Sequence, residues 1–204
     1  MGATIVLAPP ALLTLDDVAR VAGGARVQIA GDVWPRVDAA HAQFRQLQGS
    51  ERLVYGVNTG CGPLCEWPVP PEDAARFQQN LVRSHAAGLG PMHLRAVVRA
   101  TMAARLLSLA QGRSAVRPLV ADTLAAMLNA GVHPVLHEVG SVGASGDLVE
   151  LAHVALAVMG EGGVEHAGEL LPAAEALADV GILPVSFEGR EALALLNGTS
   201  CETA

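Results

Sequence analysis

The chain has 204 residues, a formal charge of −7 and a composition that is 51% hydrophobic but only 3% aromatic, so any core must be aliphatic. The acidic balance argues against nucleic acid or an anionic membrane surface as partner, and all thirteen basic residues are arginine, which excludes Schiff-base or phosphate-clamping lysine chemistry. Three cysteines without zinc-ligand spacing, the absence of an eighteen-residue apolar run and an N-terminus without a basic start point to a cytoplasmic protein that does not span a membrane and holds no metal.

Along the chain the pattern is mainly helical. Thr14 is a cap for a first helix, with Asp16 and Asp17 favoured in its opening turn. "ARVQIA", 25–30, alternates as one short strand should. A helix over about 33–48 is entered through Pro35, and the glycines and prolines of 49–70 then forbid regular structure. Pro70 and Pro71 open a helix that runs to about Ala87, closed by Gly88 and Gly90. Helices near 92–110 and 117–130 follow, the second stopped by Gly131. A loop over 138–146 leads into a helix from Asp147 or Leu148. "EGGVEHAGELLP", 161–172, has the spacing of a small hairpin, and a short helix ends at Asp179.

The last helix is expected from about Glu188 and is still running at Ala204, without a cap or polar tail. On that reading the chain is the N-terminal piece of something longer, a single incomplete domain over 1–204. It would leave Leu193, Leu195 and Leu196 exposed, a patch that favours self-association.

The chemistry concentrates in "GSVGASGDL", 140–148. It is not a hydrolase elbow, because Asp147 stands where that turn needs glycine, and it is not a phosphate loop, because no G-K-[ST] follows. One reading is a glycine-rich turn in which Ser141 or Asp147 caps the next helix. A second uses every residue. If the backbone nitrogen of Gly146 attacks the carbonyl carbon of Ala144, a five-membered ring closes. Loss of one water from the ring and of the Ser145 hydroxyl as a second leaves an exocyclic methylidene. The attacking residue must lack a side chain, which Gly146 satisfies. Ser145 supplies the leaving hydroxyl, and Asp147 is placed to handle protons.

These residues, with "LAH" at 151–153, resemble the signature of the histidine and aromatic amino acid ammonia-lyases, whose cofactor is 4-methylidene-imidazol-5-one (MIO). Three further stretches match in order. "YGVNTGCG", 55–62, resembles the loop of the family's catalytic tyrosine, here Tyr55. "NLVRSHAAGLG", 80–90, resembles the segment lining the substrate side-chain pocket, with Ser84 and His85 facing the substrate ring. "LALLNGTS", 193–200, resembles the segment whose asparagine, here Asn197, lies beside the MIO. The resemblance implies the N-terminal domain of a helical lyase fold with its catalytic residues on loops: Tyr55, Ala144, Ser145, Gly146, Asp147 and Asn197 catalytic, Ser84 and His85 substrate-binding.

It implies a reaction in which the MIO takes up a substrate amine and Tyr55 removes a β-proton, a task that suits tyrosine only when it is ionised. The Ser-His pair favours L-histidine, giving urocanate, because an apolar pocket would strand two imidazole nitrogens. Blander roles remain open: a loop-anchoring Tyr55, a turn asparagine at 197, a helix-end His85 and a helix-packing His153. His133 and His137 are spaced by four, but Pro134 interrupts them.

This sequence departs from the family pattern at Cys61, where an aromatic is usual, at Val149–Glu150 in place of Ala-Pro, and at Ser200 in place of glutamine. The resemblance also places a carboxylate-binding arginine and a second tyrosine beyond residue 204, with each site completed by neighbouring subunits of a homotetramer. The chain alone would then be inactive. Phenylalanine or tyrosine ammonia-lyase, an aminomutase, and a non-catalytic interaction module stand as alternatives.

Overall fold

A computed structural model describes residues 3–10, 13–48, 52–142 and 146–204. Helices carry the fold and very short strands stitch their ends together. Thr4–Leu7 (β1) and Arg26–Ile29 (β2) form a parallel pair in which Ile5, Leu7, Val27 and Ile29 point inward. Between them lies Leu15–Ala22 (α1), opened by the expected box. Asp17 N–H donates to Thr14 Oγ1 and Thr14 N–H donates back to the Asp17 carboxylate, both at 3.1 Å.

A single 3₁₀ turn leads into Trp34–Gln48 (α2). Residues 52–70 carry no helix or strand beyond a short 3₁₀ turn at Gly62–Leu64 and one bridge from Thr59 to Pro68. Ala74–His85 (α3) then leads to Leu89–Met92 (β3) and to the long, largely buried helix Arg95–Ala110 (α4). Pro118–Ala130 (α5) ends where Gly131 takes a left-handed conformation, φ +74°.

Next come His133–Pro134 (β4), His137–Val139 (β5), Leu148–Val158 (α6), Gly163–His166 (β6), Glu169–Pro172 (β7), Ala173–Asp179 (α7) and Glu191–Leu196 (α8). β3 pairs antiparallel with β5, and β4, β6 and β7 form a sheet in that order. The β6–β7 hairpin confirms the expectation over 161–172. Its turn residues Ala167 and Gly168 both have positive φ, the geometry of a tight hairpin.

α1 packs on α4, α4 on α5, and α6 against α3 and α8. The core they enclose is aliphatic, with Leu106, Leu124, Leu151, Leu195 and Met102 fully buried, and Phe187 is buried among the helices as a large ring. Among the described residues no helix is long and apolar enough to cross a membrane.

Two expectations fail. The strands β1, β3, β4 and β5 have no counterpart in the sequence reading, because runs of two to four residues such as "LGPM" and "HP" show no period. The last helix does not run to the end either. α8 stops at Leu196, and Asn197 leaves the helical region at φ −88°, ψ +108°. Leu193, Leu195 and Leu196 are buried, at 8%, 0% and 0% exposure, so the patch expected there does not exist. The sequence reading counted partners for these leucines only beyond the chain, whereas α3 and α6 cover them.

Two arginines, Arg99 buried and Arg117 half-buried, hold helix ends. Arg99 donates to Val21 O (2.7 Å), Ala25 O (2.7 Å) and Leu128 O (3.0 Å), gathering the C-terminal ends of α1 and α5. It also donates to His133 Nε2 at 3.0 Å, which requires that nitrogen to be unprotonated. Burial, with the Arg99 charge behind it, lowers the His133 pKa to about 4. Arg117, before α5, forms a forked pair with Glu191 at the start of α8. Its Nε and Nη2 reach the two carboxylate oxygens at 2.8 and 2.7 Å, and Glu191 is 1% exposed.

Both devices generate measurements. A histidine whose folded pKa lies below its unfolded value of 6.5 contributes stability that is complete above pH 6.5 and is lost as the pH falls toward 4, by about 3 kcal/mol. Denaturant unfolding followed across that window should show this extra loss in the wild type and not in His133→Gln, whose side chain still accepts from Arg99. Glu191→Ala should cost about 3–5 kcal/mol in the same assay, because Arg117 is left partly buried without its carboxylate.

Candidate functional site

All six residues of α8 are buried, and segments from four distant parts of the chain meet at it. At its C-terminal end Arg105 of α4, 4% exposed, donates through Nη1 to Ala194 O and to Asn197 O, each at 3.2 Å. A cation at a helix C-terminus satisfies carbonyls that no longer have an intrahelical partner. Burial lowers the Arg105 pKa to about 10, and the negative charge of Asp147 acts in the opposite direction. The guanidinium lies directly over Gly198, where any side chain would collide with it. This is why α8 ends at "NG".

Gly146 and Asp147 pack onto the turn so formed. Asp147 N–H donates to Gly198 O at 2.6 Å. The Asp147 carboxylate, 3% exposed, accepts Cys201 N–H and Glu202 N–H on one oxygen, both at 2.8 Å. Asp147 stands at the cap position of α6 without capping it. It caps instead the helical turn from Thr199 to Thr203. Gly146 has φ +134°, a backbone conformation that strains any side chain, and a Cβ there would lie tightly at 3.1 Å from Asn197 Oδ1 and 3.3 Å from Gly198 O.

Asn197 and Gly146 are thereby neighbours across a sequence gap of some fifty residues. Gly143, Ala144 and Ser145 lie outside the described residues. On the near side of that gap Ser141 donates to the carboxylate of Glu150, 5% exposed in the first turn of α6, and it too does not cap the helix. The charge that departs from the family pattern is therefore used as a hydrogen-bond acceptor.

Tyr55 reaches α8 from the other side. Gly56, at φ +67°, passes so close to Leu193 that a Cβ would lie 2.8 Å from its methyl group. Gln78 of α3, fully buried, donates to Gly56 O (3.3 Å) and accepts Ala192 N–H (3.1 Å), joining the Tyr55 loop, α3 and α8 through one amide. The phenol itself is 52% exposed, and its oxygen accepts Gly62 N–H at 2.9 Å. Its hydroxyl also reaches the Cys61 thiol. Burial raises the pKa of that thiol, and the hydrogen bond from Tyr55 partly offsets the rise.

Ser84 and His85 end α3. Their hydrogen bonds are local: Ser84 Oγ donates to Leu81 O (3.0 Å) and lies 3.1 Å from His85 Nδ1, which is 2.8 Å from Leu81 O. A carbonyl only accepts, so Nδ1 of His85 is the donor in that contact and Nε2 is left free of it. Neither side chain hydrogen-bonds to Tyr55, Asn197 or Gly146, and α3 relates them to that cluster through Gln78.

The segment after them is held by two histidines. His153 Nε2 accepts Gly88 N–H at 3.1 Å, His137 Nδ1 donates to Gly90 O at 3.0 Å, and the two rings meet edge to face with centroids 5.6 Å apart. Burial lowers the His153 pKa, His137 adds to the effect, and Glu150 opposes it. His133 and His137 lie on different strands with different partners. Among the described residues no group of three or more His, Cys, Asp or Glu could hold a metal.

The residues the sequence reading missed are Arg105, Gln78 and Gly198. Arg105 had one signal, a lone charge flanked by alanines and leucines in "MAARLLSLA". Gln78 had none.

The chain matches the family model described as aromatic amino acid lyase over residues 13–204. It is 46% identical over 197 residues to a histidine ammonia-lyase of Streptomyces avermitilis, covering 96% of this chain and 38% of that protein. A tyrosine ammonia-lyase of Cupriavidus metallidurans is also 46% identical, over 94% of this chain and 36% of the relative. Among solved structures, a tyrosine aminomutase from Streptomyces globisporus superposes with a TM-score of 0.92 at 38% identity, covering 98% of this chain and 38% of that one. A histidine ammonia-lyase from Trypanosoma cruzi gives 0.84 at 32%, covering 93% and 36%. The chain thus spans well under half the length of these relatives. With its motifs in register and its fold shared, the chain belongs to the aromatic amino acid lyase family.

Proposed function

We propose that this chain is the N-terminal part of an ammonia-lyase that eliminates ammonia from an L-amino acid, L-histidine in the first instance, using an MIO formed from Ala144, Ser145 and Gly146. One observation carries the reading: Gly146–Asp147, Asn197–Gly198 and the loop of Tyr55, distant in sequence, converge on a single buried helix. Gly146 fits the group, since its positive φ and the crowding by Asn197 and Gly198 disfavour any side chain on the ring nitrogen's residue. When formed, the MIO supplies the electrophile that makes the substrate amine a leaving group.

The chain's own residues do the rest. Asp147, fixed by two backbone N–H groups, sets the exit of the ring segment and can receive a proton there. Asn197, whose side-chain amide lies beside Gly146, would hold the ring or a substrate carboxylate by hydrogen bonds. Tyr55, on an exposed loop seated on Leu193, is the base for the β-proton. Ser84 and His85 line the wall facing the substrate side chain, where their polar atoms suit an imidazole ring. The rest of the polypeptide and neighbouring subunits of a homotetramer complete the site.

The competing substrate reading, L-tyrosine with elimination or amine migration, is favoured by the Cupriavidus and Streptomyces globisporus proteins, as similar to this chain as several histidine enzymes are. Parallel assays decide between them. L-histidine should be converted to urocanate at least about tenfold more efficiently than L-tyrosine is consumed, and the reverse order would select the second reading.

In the full-length protein, intact mass should show the polypeptide lighter by two waters, and Ser145→Ala should abolish both that deficit and ammonia release. Tyr55→Phe should lower kcat by about 10²–10⁴-fold while leaving the mass deficit intact. A Ser145→Ala protein that still released ammonia at the parent rate would refute the proposal.

A further inference from the structure

We propose that His153 is a positioning residue for the substrate pocket, its unprotonated Nε2 holding Gly88 N–H and with it the segment that follows Ser84 and His85. The inference rests on reading those two residues as the wall facing the substrate side chain.

Gly88 lies three residues beyond His85, where α3 has ended and β3 has not begun. Helix and strand hydrogen bonds are both unavailable to it, and its N–H is committed to His153 at 3.1 Å. A Cβ at Gly88 would sit 3.0 Å from His153 Nε2 and 3.0 Å from His137 Cβ, so the backbone is pressed between the two imidazoles. Two residues on, Gly90 O accepts from His137 Nδ1. The segment is thus gripped by an acceptor at one glycine and a donor at the next, which fixes its position and also the rotation of its peptide planes.

His153 lies on α6, and α6 starts at Leu148, immediately after Gly146 and Asp147. One rigid helix therefore carries the ring segment at its first residue and grips the pocket wall five residues later, about 7.5 Å along its axis. α6 thus ties the wall of the proposed pocket to Gly146 and Asp147, and the Gly88 bond is the contact that makes the tie.

The bond tolerates only one protonation state of His153, since a second ring proton would face the Gly88 N–H. The charges whose fields act on His153 are Glu150, one turn earlier on α6, which favours the proton, and His137 on β5, which opposes it along with burial.

Three variants with the parent protein test this, read by steady-state kinetics and by hydrogen exchange at the Gly88 amide. His153→Leu should raise KM about tenfold with kcat held within about threefold, because a wall that is no longer held costs binding before it costs chemistry. Gly88 should exchange faster in that variant. His153→Gln, whose amide oxygen can accept the same N–H, should restore both quantities. His85→Ala should raise KM as well.

A wild-type KM in His153→Leu, or a glutamine variant no better than leucine, would overturn the inference while a raised KM in His85→Ala kept the pocket reading. An unchanged KM in His85→Ala would remove that reading and the inference with it. Should the leucine variant not fold, the glutamine variant decides alone. Gly88 protection in the parent should collapse as falling pH protonates His153, and in His153→Gln it should not. The same acidic loss in both proteins would defeat the proposal.

Discussion

Arg105 is the constraint on which the arrangement depends. A guanidinium with 4% exposure has to find its partners inside the protein, and it finds them in the last carbonyls of α8 and the charge of Asp147. Once it is there, Gly198 has no room for a side chain, α8 must end, and the chain must turn back beneath the guanidinium. That turn is the surface on which Gly146 and Asp147 rest. Asn197 comes to the ring segment because a cation about 15 Å into α4, at about 1.5 Å of rise per residue from Arg95, needs neutral acceptors.

The opposite end of α8 is fixed by a comparable arrangement with the charges reversed. Glu191, buried at the first residue of the helix, takes Arg117 in a forked pair and accepts Glu188 N–H as well. Carboxylate at the N-terminus and guanidinium at the C-terminus both complement the helix dipole. A helix of six residues is too short to be stable on its own propensity. Here it is held by these two charges, by burial of every side chain and by the Gln78 amide at Ala192. Loops from four regions can use it as a common reference because its position does not depend on any one of them.

Much of this was legible in the sequence, for reasons that can be named. Thr14 with Asp17, Gly131 at the end of 117–130, and the hairpin spacing of 161–172 are local signals, and each produced the element expected. The four motifs were legible because glycine, serine, aspartate and asparagine at fixed spacing carry chemistry that few other arrangements use. The termination of α8 was not legible. It is decided by Arg105, about ninety residues away, and the local pattern "GREALALLNGTS" continues the apolar periodicity to the point where a distant charge stops it. Gln78 is invisible for the same reason, since both its partners are long-range. Asp147 was read as a proton handler and is found holding a turn by two N–H groups; the two roles use the same carboxylate, and only the second is visible in the fold.

One smaller feature bears on how the molecule meets other chains. β2 has β1 on one side only, and Val27 directs its N–H and C=O away from that partner. Asn129 answers both, its Oδ1 accepting from Val27 N–H and its Nδ2 donating to Val27 O, each at 2.8 Å. A single side-chain amide thereby imitates a residue of a third strand. An open strand edge is a template on which another polypeptide can add itself. At β2 that template is already occupied, so a two-stranded sheet near the N-terminus can exist without recruiting a neighbour.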